Sequence, residues 1–461
     1  MKHGTPALAA LGLLALAACS GDPTATVAPD ASAALARTSD AGTLAINVLL
    51  KAPATAEQRT ALAQYGPLKG EIAELNAVTM RVKAGDLAAV QALPFVAAAG
   101  ADQARQGAPT DAVSLTTFAS SGVSSWDQDA INVTDRPSPS DSPGGRVIDQ
   151  TGEGVYVGVL DTGLLDSWRE YFPQERIATQ YAASFGGGGG EAGNVSMQPN
   201  KWEHDQDAHG THVTSSILGF RLNNTTSVNG TAPNATVIPV KVLGQNGSGW
   251  SSVIAAGIVY IAKLKEGPLA GKPVVINMSL GGSRLDAVEK QAIDYAVGKG
   301  VIIVAAAGNS GERGMGYPGA YAPVISVASA AWTNLFNASL NPLGWRGDVV
   351  ENDLSQFTVS GFSSRATRPE HDLDVTAPGS NVVGPYQLNS GQNAYYYLSG
   401  TSMASPHVAG IVALMAQKQP LLTPTQAEDI LESVARLIPG FAARDQGKGF
   451  VTADAAVNAT N

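Results

Sequence analysis

Gly400-Thr401-Ser402-Met403-Ala404-Ser405-Pro406-His407-Val408-Ala409-Gly410 is the stretch on which the reading of this 461-residue chain turns. Small residues crowd its start, and Val408, Ala409, Ile411, Val412, Leu414 and Met415 read as a helix buried in a core. Ser402 falls at the helix N-terminus, where unpaired backbone N–H groups and the positive end of the helix dipole favour a developing oxyanion. A serine in that place is, by itself, an ordinary N-cap. Its weight comes from two other segments.

Val155-Tyr156-Val157-Gly158-Val159-Leu160-Asp161-Thr162-Gly163 is a short apolar run bounded by glycines, the pattern of a fully buried parallel strand that delivers Asp161 at its carboxyl end. Asp207-Ala208-His209-Gly210-Thr211-His212-Val213 opens a helix continued by Ile217 and Leu218. His209 and His212 could together ligate zinc, but the metalloprotease pattern needs HExxH, and Gly210-Thr211 supplies no glutamate. His212 is expected to be structural. An imidazole titrates near neutral pH and can take the proton of a serine hydroxyl, and a carboxylate can fix its tautomer.

These three segments, in the chain order Asp, His, Ser, closely resemble those of the subtilisin-like serine proteases. The resemblance implies Asp161, His209 and Ser402 as a catalytic triad working through an acyl-enzyme. It also implies Asn309, at the end of Val301-Ile302-Ile303-Val304-Ala305-Ala306-Ala307-Gly308-Asn309, as the oxyanion donor. Val274 to Gly282 resembles the family's substrate edge, with the specificity-pocket walls at Ser279, Leu280, Gly281 and at Ala306, Ala307, Gly308, and the floor at Gly316 before Tyr317-Pro318-Gly319. A glycine floor leaves room for large apolar or aromatic P1 residues. Leu222 to Val228 resembles a family calcium loop, with Asn224 and Glu170 as side-chain ligands and Leu222, Thr226 and Val228 offering carbonyls; a polar loop needing no metal is the alternative. Catalysis itself needs no cofactor.

The rest of the chain fits an exported precursor. A hydrophobic fraction of 44% with 15% charged residues is ample for a core, and a net charge of -10 without long runs gives no nucleic-acid footprint. The run of glycines at 186–190 lacks the Gly-Lys-Ser/Thr of a phosphate loop and reads as a flexible surface insertion. Residues 1–19 read as a bacterial signal peptide: Lys2 and His3 precede an apolar stretch too short to span a membrane, ending in the lipobox-like Leu16-Ala17-Ala18-Cys19. Cys19, the single cysteine, is then a lipidation site, with ordinary signal-peptidase cleavage nearby as the alternative, and no intrachain disulfide is possible.

Residues 20–40 read as a linker, and residues 41–102 resemble the inhibitory propeptide of the same family. Strands are expected at Thr43 to Leu50, near Leu68 to Ile72, at Ala73 to Val82 and at Phe95 to Ala98, with helices at Ala56 to Tyr65 and Asp86 to Leu93, a split-βαβ pattern. Trp126 to Asn132 resembles the start of a mature member of the family, which implies residues 103–125 as a processing linker holding an autocleavage site and 126–461 as the catalytic domain, in which the stretch from Trp332 to Phe357 is longer than the family's usual connection. The expected fold class is α/β, a doubly wound, mostly parallel sheet flanked by helices, behind a small α+β ferredoxin-like propeptide. The function expected is a secreted serine endopeptidase acting on protein or peptide substrates, monomeric when mature, with its own propeptide as intramolecular inhibitor. A lipid on Cys19 would anchor only the precursor, and the mature enzyme would be extracellular. The competing class is an inactive, surface-anchored relative that binds peptides in the same groove; residue types competent for chemistry at 161, 209, 309 and 402 argue for the enzyme.

Overall fold

The computed structural model describes residues 42–107, 111–114, 125–135, 145–223, 226–335, 349–350 and 352–461. The leader with Cys19, the linker 20–40, Asn224 and residues 336–348 of the long connection lie outside them. Thr43–Leu50 (β1), Ala56–Ala63 (α1), Leu68–Ile72 (β2), Ala77–Lys83 (β3), Leu87–Gln91 (α2) and Val96–Ala101 (β4) form the first unit. Its sheet runs β2-β3-β1-β4 with every neighbour antiparallel, the split-βαβ arrangement expected. Thr55 starts α1 through a reciprocal capping box with Gln58. Ile46, Val48, Leu62, Met80, Val82 and Val90 close a small core. The single strand expected over residues 73–82 is broken: Ala73–Leu75 forms a 3-10 turn ended by Asn76 at φ 53°, and the strand begins only at Ala77. Asparagine tolerates this left-handed conformation where a β-branched residue would not, so the turn costs little.

The second unit follows Ala104–Gln106 (β5). Its sheet, the helices over it and the strand β9 beside it are Tyr156–Asp161 (β6), Ala183–Ser184 (β7), His209–Leu218 (α3), Thr236–Lys241 (β8), Ser248–Trp250 (β9), Ser251–Glu266 (α4), Val274–Met278 (β10), Ala287–Gly298 (α5), Ile302–Ala306 (β11), Ile325–Trp332 (β12), Phe357–Val359 (β13), Val375–Pro378 (β14), Thr401–Lys418 (α6) and Pro424–Val434 (α7), with further short strands and helices between and after them. The sheet order is β7-β8-β6-β10-β11-β12, all parallel, with β14 parallel and β13 antiparallel to β12. Side chains alternate across a strand, so Val157, Val159, Val275 and Val304 pack with α3 and α6, while Leu160, Ile276, Met278 and Ile303 pack with α4 and α5. Both faces are covered, which is why these strands read as unbroken apolar runs.

Parallel strands empty their carboxyl ends onto one edge, and the three adjacent strands β6, β10 and β11 end at Asp161, Met278 and Ala306 there. The first unit docks on the helices beside that edge: Ile72, Leu75 and Ala77 join the core around α4 and α5. The glycine run at 186–190 differs from expectation. Gly186 and Gly189 are buried, four successive residues from Gly186 hold positive φ, and a Cβ on Gly189 would come within 2.0 Å of the Leu243 backbone. It is a packed turn, glycine-rich because left-handed backbone and close approach leave no space for side chains. Among the described residues, no helix is long and apolar enough to cross a membrane.

Candidate active site

The imidazole of His209 is set by a turn rather than by α3 alone. Ala208, the residue before it, has φ 73°, and the backbone N–H groups of Asp207 and Ala208 donate to the Asp205 carboxylate at 3.0 Å each. Thr162 Oγ1 donates to the same carboxylate at 2.8 Å and accepts from the Gly210 N–H at 2.9 Å, tying the carboxyl end of β6 to the start of α3. A Cβ on Gly210 would lie 2.3 Å from the Gly163 carbonyl oxygen, so the position after His209 must be glycine. Burial pushes Asp205 up to about 6 against the attraction of nearby Lys241, whose ammonium donates to the Thr162 carbonyl.

Asp161 and His209 are brought together, Nδ1 to Oδ1 at 2.7 Å, with both side chains essentially unexposed. Burial pulls the His209 pKa down, but the charge and hydrogen bond of Asp161, reinforced by Asp207 and Asp205, outweigh it and hold it above its ordinary value. His212 is buried with Nε2 against the Val382 and Tyr396 carbonyls, and burial pulls it down to about 3, aided by His209. It is a neutral structural residue, as expected.

Ser402 sits in the first turn of α6, buried, with its hydroxyl donating to the Ser279 carbonyl at 3.1 Å, while His209 Nε2 has no hydrogen-bond partner. Pro406 cannot donate to the carbonyl four residues back, which is that of Ser402. Ser279 Oγ fills the gap, donating to Ser402 O at 2.7 Å, and is itself held by Asn277 Nδ2 at 3.0 Å; Ser405 Oγ completes the chain to Asn277 Oδ1 at 2.7 Å. The end of β10 is thereby bolted to the serine's turn. Asn309 is anchored by its oxygen, which accepts from Thr401 N and Thr401 Oγ1 at 2.9 Å each, so the amide's other end is its donor end.

A segment of the chain itself lies across this edge. β5 pairs antiparallel with β9 on one side, placing Arg105 opposite Gly249, and Gln106 exchanges both backbone bonds with Gly281 on the other, at 2.9 and 3.0 Å. Gly107 N donates to Gly247 O at 2.9 Å, and a Cβ on Gly107 would lie 3.1 Å from His209 Cε1. The chain continues past the site: Asp111–Ser114 pairs antiparallel with Ala394–Ser399, the strand that leads into Ser402. Of the pocket-wall residues, Gly281 is thus engaged through its backbone. Leu280 and Ala306 turn into the core, Gly308 N donates to Thr401 Oγ1 at 3.1 Å, and Gly316 N bonds the Ala307 carbonyl at 2.9 Å and lies beside Gly282.

Of the residues expected to bind calcium, Leu222, Thr226 and Val228 fall on a hairpin, Gly219–Leu222 against Thr226–Asn229, in which Leu222 faces Thr226 and Val228 faces Phe220. Asn224 lies outside the described residues, and Glu170 Oε2 accepts from Asn393 Nδ2 at 2.7 Å. A different acidic set escaped the sequence: Asp372, Asp374 and Glu428 bring ligand oxygens within 4.8 Å of one another. Burial pushes Asp374 up to about 8, and its Oδ1 has no hydrogen-bond partner; burial and the Asp372 charge push Glu428 to about 7. Clustered carboxylates with an orphaned buried oxygen fit a hard cation. No motif links Asp374, beside β14, with Glu428 on α7, so only the packing could reveal them. Sequence reasoning also missed Asp205, Asn277 and Thr401, whose only signal was their closeness in sequence to His209, Ser279 and Ser402.

Residues 152–454 match the model of the subtilase family of peptidases. Subtilisin DY of Bacillus licheniformis is 35% identical over 310 residues, 66% of this chain and 91% of the relative. The thermostable alkaline protease of Halalkalibacterium halodurans is 35% identical over 284 residues, 62% of this chain and 63% of the relative. Among solved structures, fervidolysin from Fervidobacterium pennivorans superposes with a TM-score of 0.63 at 22% identity, covering 91% of this chain and 62% of its own, a likeness of fold. Sphericase gives 0.54 at 30% identity over 73% of this chain and 99% of its own.

Proposed function

This chain belongs to the subtilase family and is a serine endopeptidase, and from that premise we propose that it is made as a self-inhibited precursor and cuts peptide bonds with Ser402, His209, Asp161 and Asn309. The observation that carries the proposal is the passage of the chain's own β5 between β9 and Gly281, ending beside His209. A peptide held this way gains affinity from backbone bonds with little regard to sequence. On this reading the reacting bond falls between Gly107 and Asp111, between the two paired segments and within the expected stretch 103–125.

The reaction requires the Ser402 hydroxyl to leave the Ser279 carbonyl for Nε2 of His209, which has no other hydrogen-bond partner. Oγ then attacks the scissile carbonyl carbon as its proton passes to Nε2, and Asp161 holds Nδ1–H and stabilises the imidazolium. The carbonyl oxygen becomes an oxyanion that takes a hydrogen bond from the Asn309 amide. His209 returns the proton to the leaving amine, and water, activated by the same base, releases the acyl group. In the substrate pocket the Gly316 floor supports large apolar P1 residues; peptides ending in Glu cut faster than those ending in Phe or Leu would refute this.

Cleavage separates the catalytic domain from everything before it, so a lipid on Cys19 would hold only the precursor at the membrane. Structural calcium is part of the proposal, as a stabiliser. The test is labelling with a fluorophosphonate together with amino-terminal sequencing of the secreted product. Wild type should label and begin between residues 108 and 111, whereas Ser402→Ala should neither label nor mature, and should stay with the membrane fraction. Equal processing and release of both proteins would reject the self-cleavage.

A further inference from the structure

The backbone pairing across the cleft is indifferent to sequence, but one side chain of β5 is not. Arg105 is 1% exposed and Glu289, on α5, is fully buried. Arg105 Nε donates to Glu289 Oε1 at 2.9 Å while Nη2 donates to Oε2, a two-pronged pair. The same guanidinium donates to the Arg284 carbonyl through Nη2 and to the Ala104 carbonyl through Nη1, each at 2.9 Å. Three of these four acceptor atoms belong to the wall of the cleft, and only the Ala104 carbonyl leaves with the prosegment. Asp286, at the start of α5, adds negative charge close by.

Once the prosegment leaves, Glu289 remains in the wall of the groove at the place where a substrate residue two positions before the one touching His209 must lie. A carboxylate there without a partner is costly, and a fork-shaped cation satisfies both oxygens and the Arg284 carbonyl together. We propose that Glu289 makes this position an arginine-selecting subsite, so that polypeptide substrates with arginine where Arg105 sits in the precursor are preferred. This rests on the reading of β5 as a substrate-like strand.

The test uses mature enzyme and internally quenched peptides copying residues 102–113, with Arg, Lys or Leu in place of Arg105 and the cut located by mass spectrometry. Arginine should give a kcat/KM at least tenfold above leucine, with lysine between them because an ammonium cannot make the fork. Glu289→Leu should reverse the order. Should that protein fail to mature, the precursor carrying both Arg105→Leu and Glu289→Leu replaces the ion pair with an apolar one, and its mature form should prefer the leucine peptide. Equal cleavage of the Arg and Leu peptides by the wild type, or an arginine preference that survives the loss of Glu289, overturns the subsite. No cleavage of any peptide would instead count against the catalytic reading beneath it.

Discussion

At Ser402 the helix lacks one of its own bonds because Pro406 has no N–H, and Ser279 Oγ supplies the missing donor. Ser279→Ala should therefore leave a buried carbonyl unsatisfied and destabilise the fold by about 1–3 kcal/mol, read from denaturant midpoints. An unchanged midpoint would mean that the carbonyl finds another donor. By analogy with subtilisin, Asn309→Ala should lower kcat by about 10²–10³ with little change in KM, because its hydrogen bond strengthens only as the oxyanion forms. A change confined to KM would remove Asn309 from that role. His209 must be neutral to accept a proton, and its pKa is held above the ordinary 6.5, so kcat/KM should fall on acidification through a value above 6.5. Asp161→Asn removes the charge that raises it, so what activity is left should persist to lower pH; an unmoved acid limb would contradict the assignment. The types and order of these residues were legible in the sequence because their segments resemble those of the subtilases, while taken singly each reads as an ordinary cap or turn residue. The rotamer of Ser402 and the Asp205 clamp were not, because they depend on contacts between segments remote along the chain.

At the scale of elements, α4 begins with no capping side chain of its own, since Trp250 fills the N-cap position. Asp102, just beyond β4, caps it from the first unit. Its carboxylate accepts from Ser252 N at 3.0 Å, Ser252 Oγ at 2.6 Å, Ser251 Oγ at 2.9 Å, Asn47 Nδ2 at 3.1 Å and Gly193 N at 3.1 Å. A negative group at a helix N-terminus is stabilised by both the free N–H groups and the dipole. Asp102→Ala in the uncleaved Ser402→Ala precursor should cost about 1–2 kcal/mol and lower its melting temperature, while the mature enzyme, which under the proposed cleavage would lack residue 102, should melt unchanged. A precursor that melts as before would show the cap to be idle. Element identities were largely readable from periodicity. Their ends were not, as the turn at Ala73–Leu75 illustrates, where an αL asparagine interrupts what the apolar pattern presents as one strand.

For the whole molecule, the two units meet beside the edge that carries Asp161 and His209, so under the proposed self-cleavage inhibition and processing would be properties of one interface. The same scale governs the Asp372, Asp374 and Glu428 cluster, which joins a strand of the sheet to a helix over it. Chelation of divalent ions should lower the melting temperature of the mature enzyme, and Glu428→Gln should shrink that response. A melting temperature indifferent to chelators would dispose of structural calcium. The sequence by itself determined the alternation of strands and helices and, through short motifs that resemble those of the subtilases, the family and its serine-endopeptidase chemistry, with Asp161, His209, Asn309 and Ser402 as the proposed working residues, because apolar periodicity and short motifs are properties of contiguous residues. Only the tertiary structure decided that β5 lies in the cleft, that Arg105 meets Glu289, and that three carboxylates converge. Such encounters join residues far apart in the chain, and their energies come from burial and desolvation that no local pattern records.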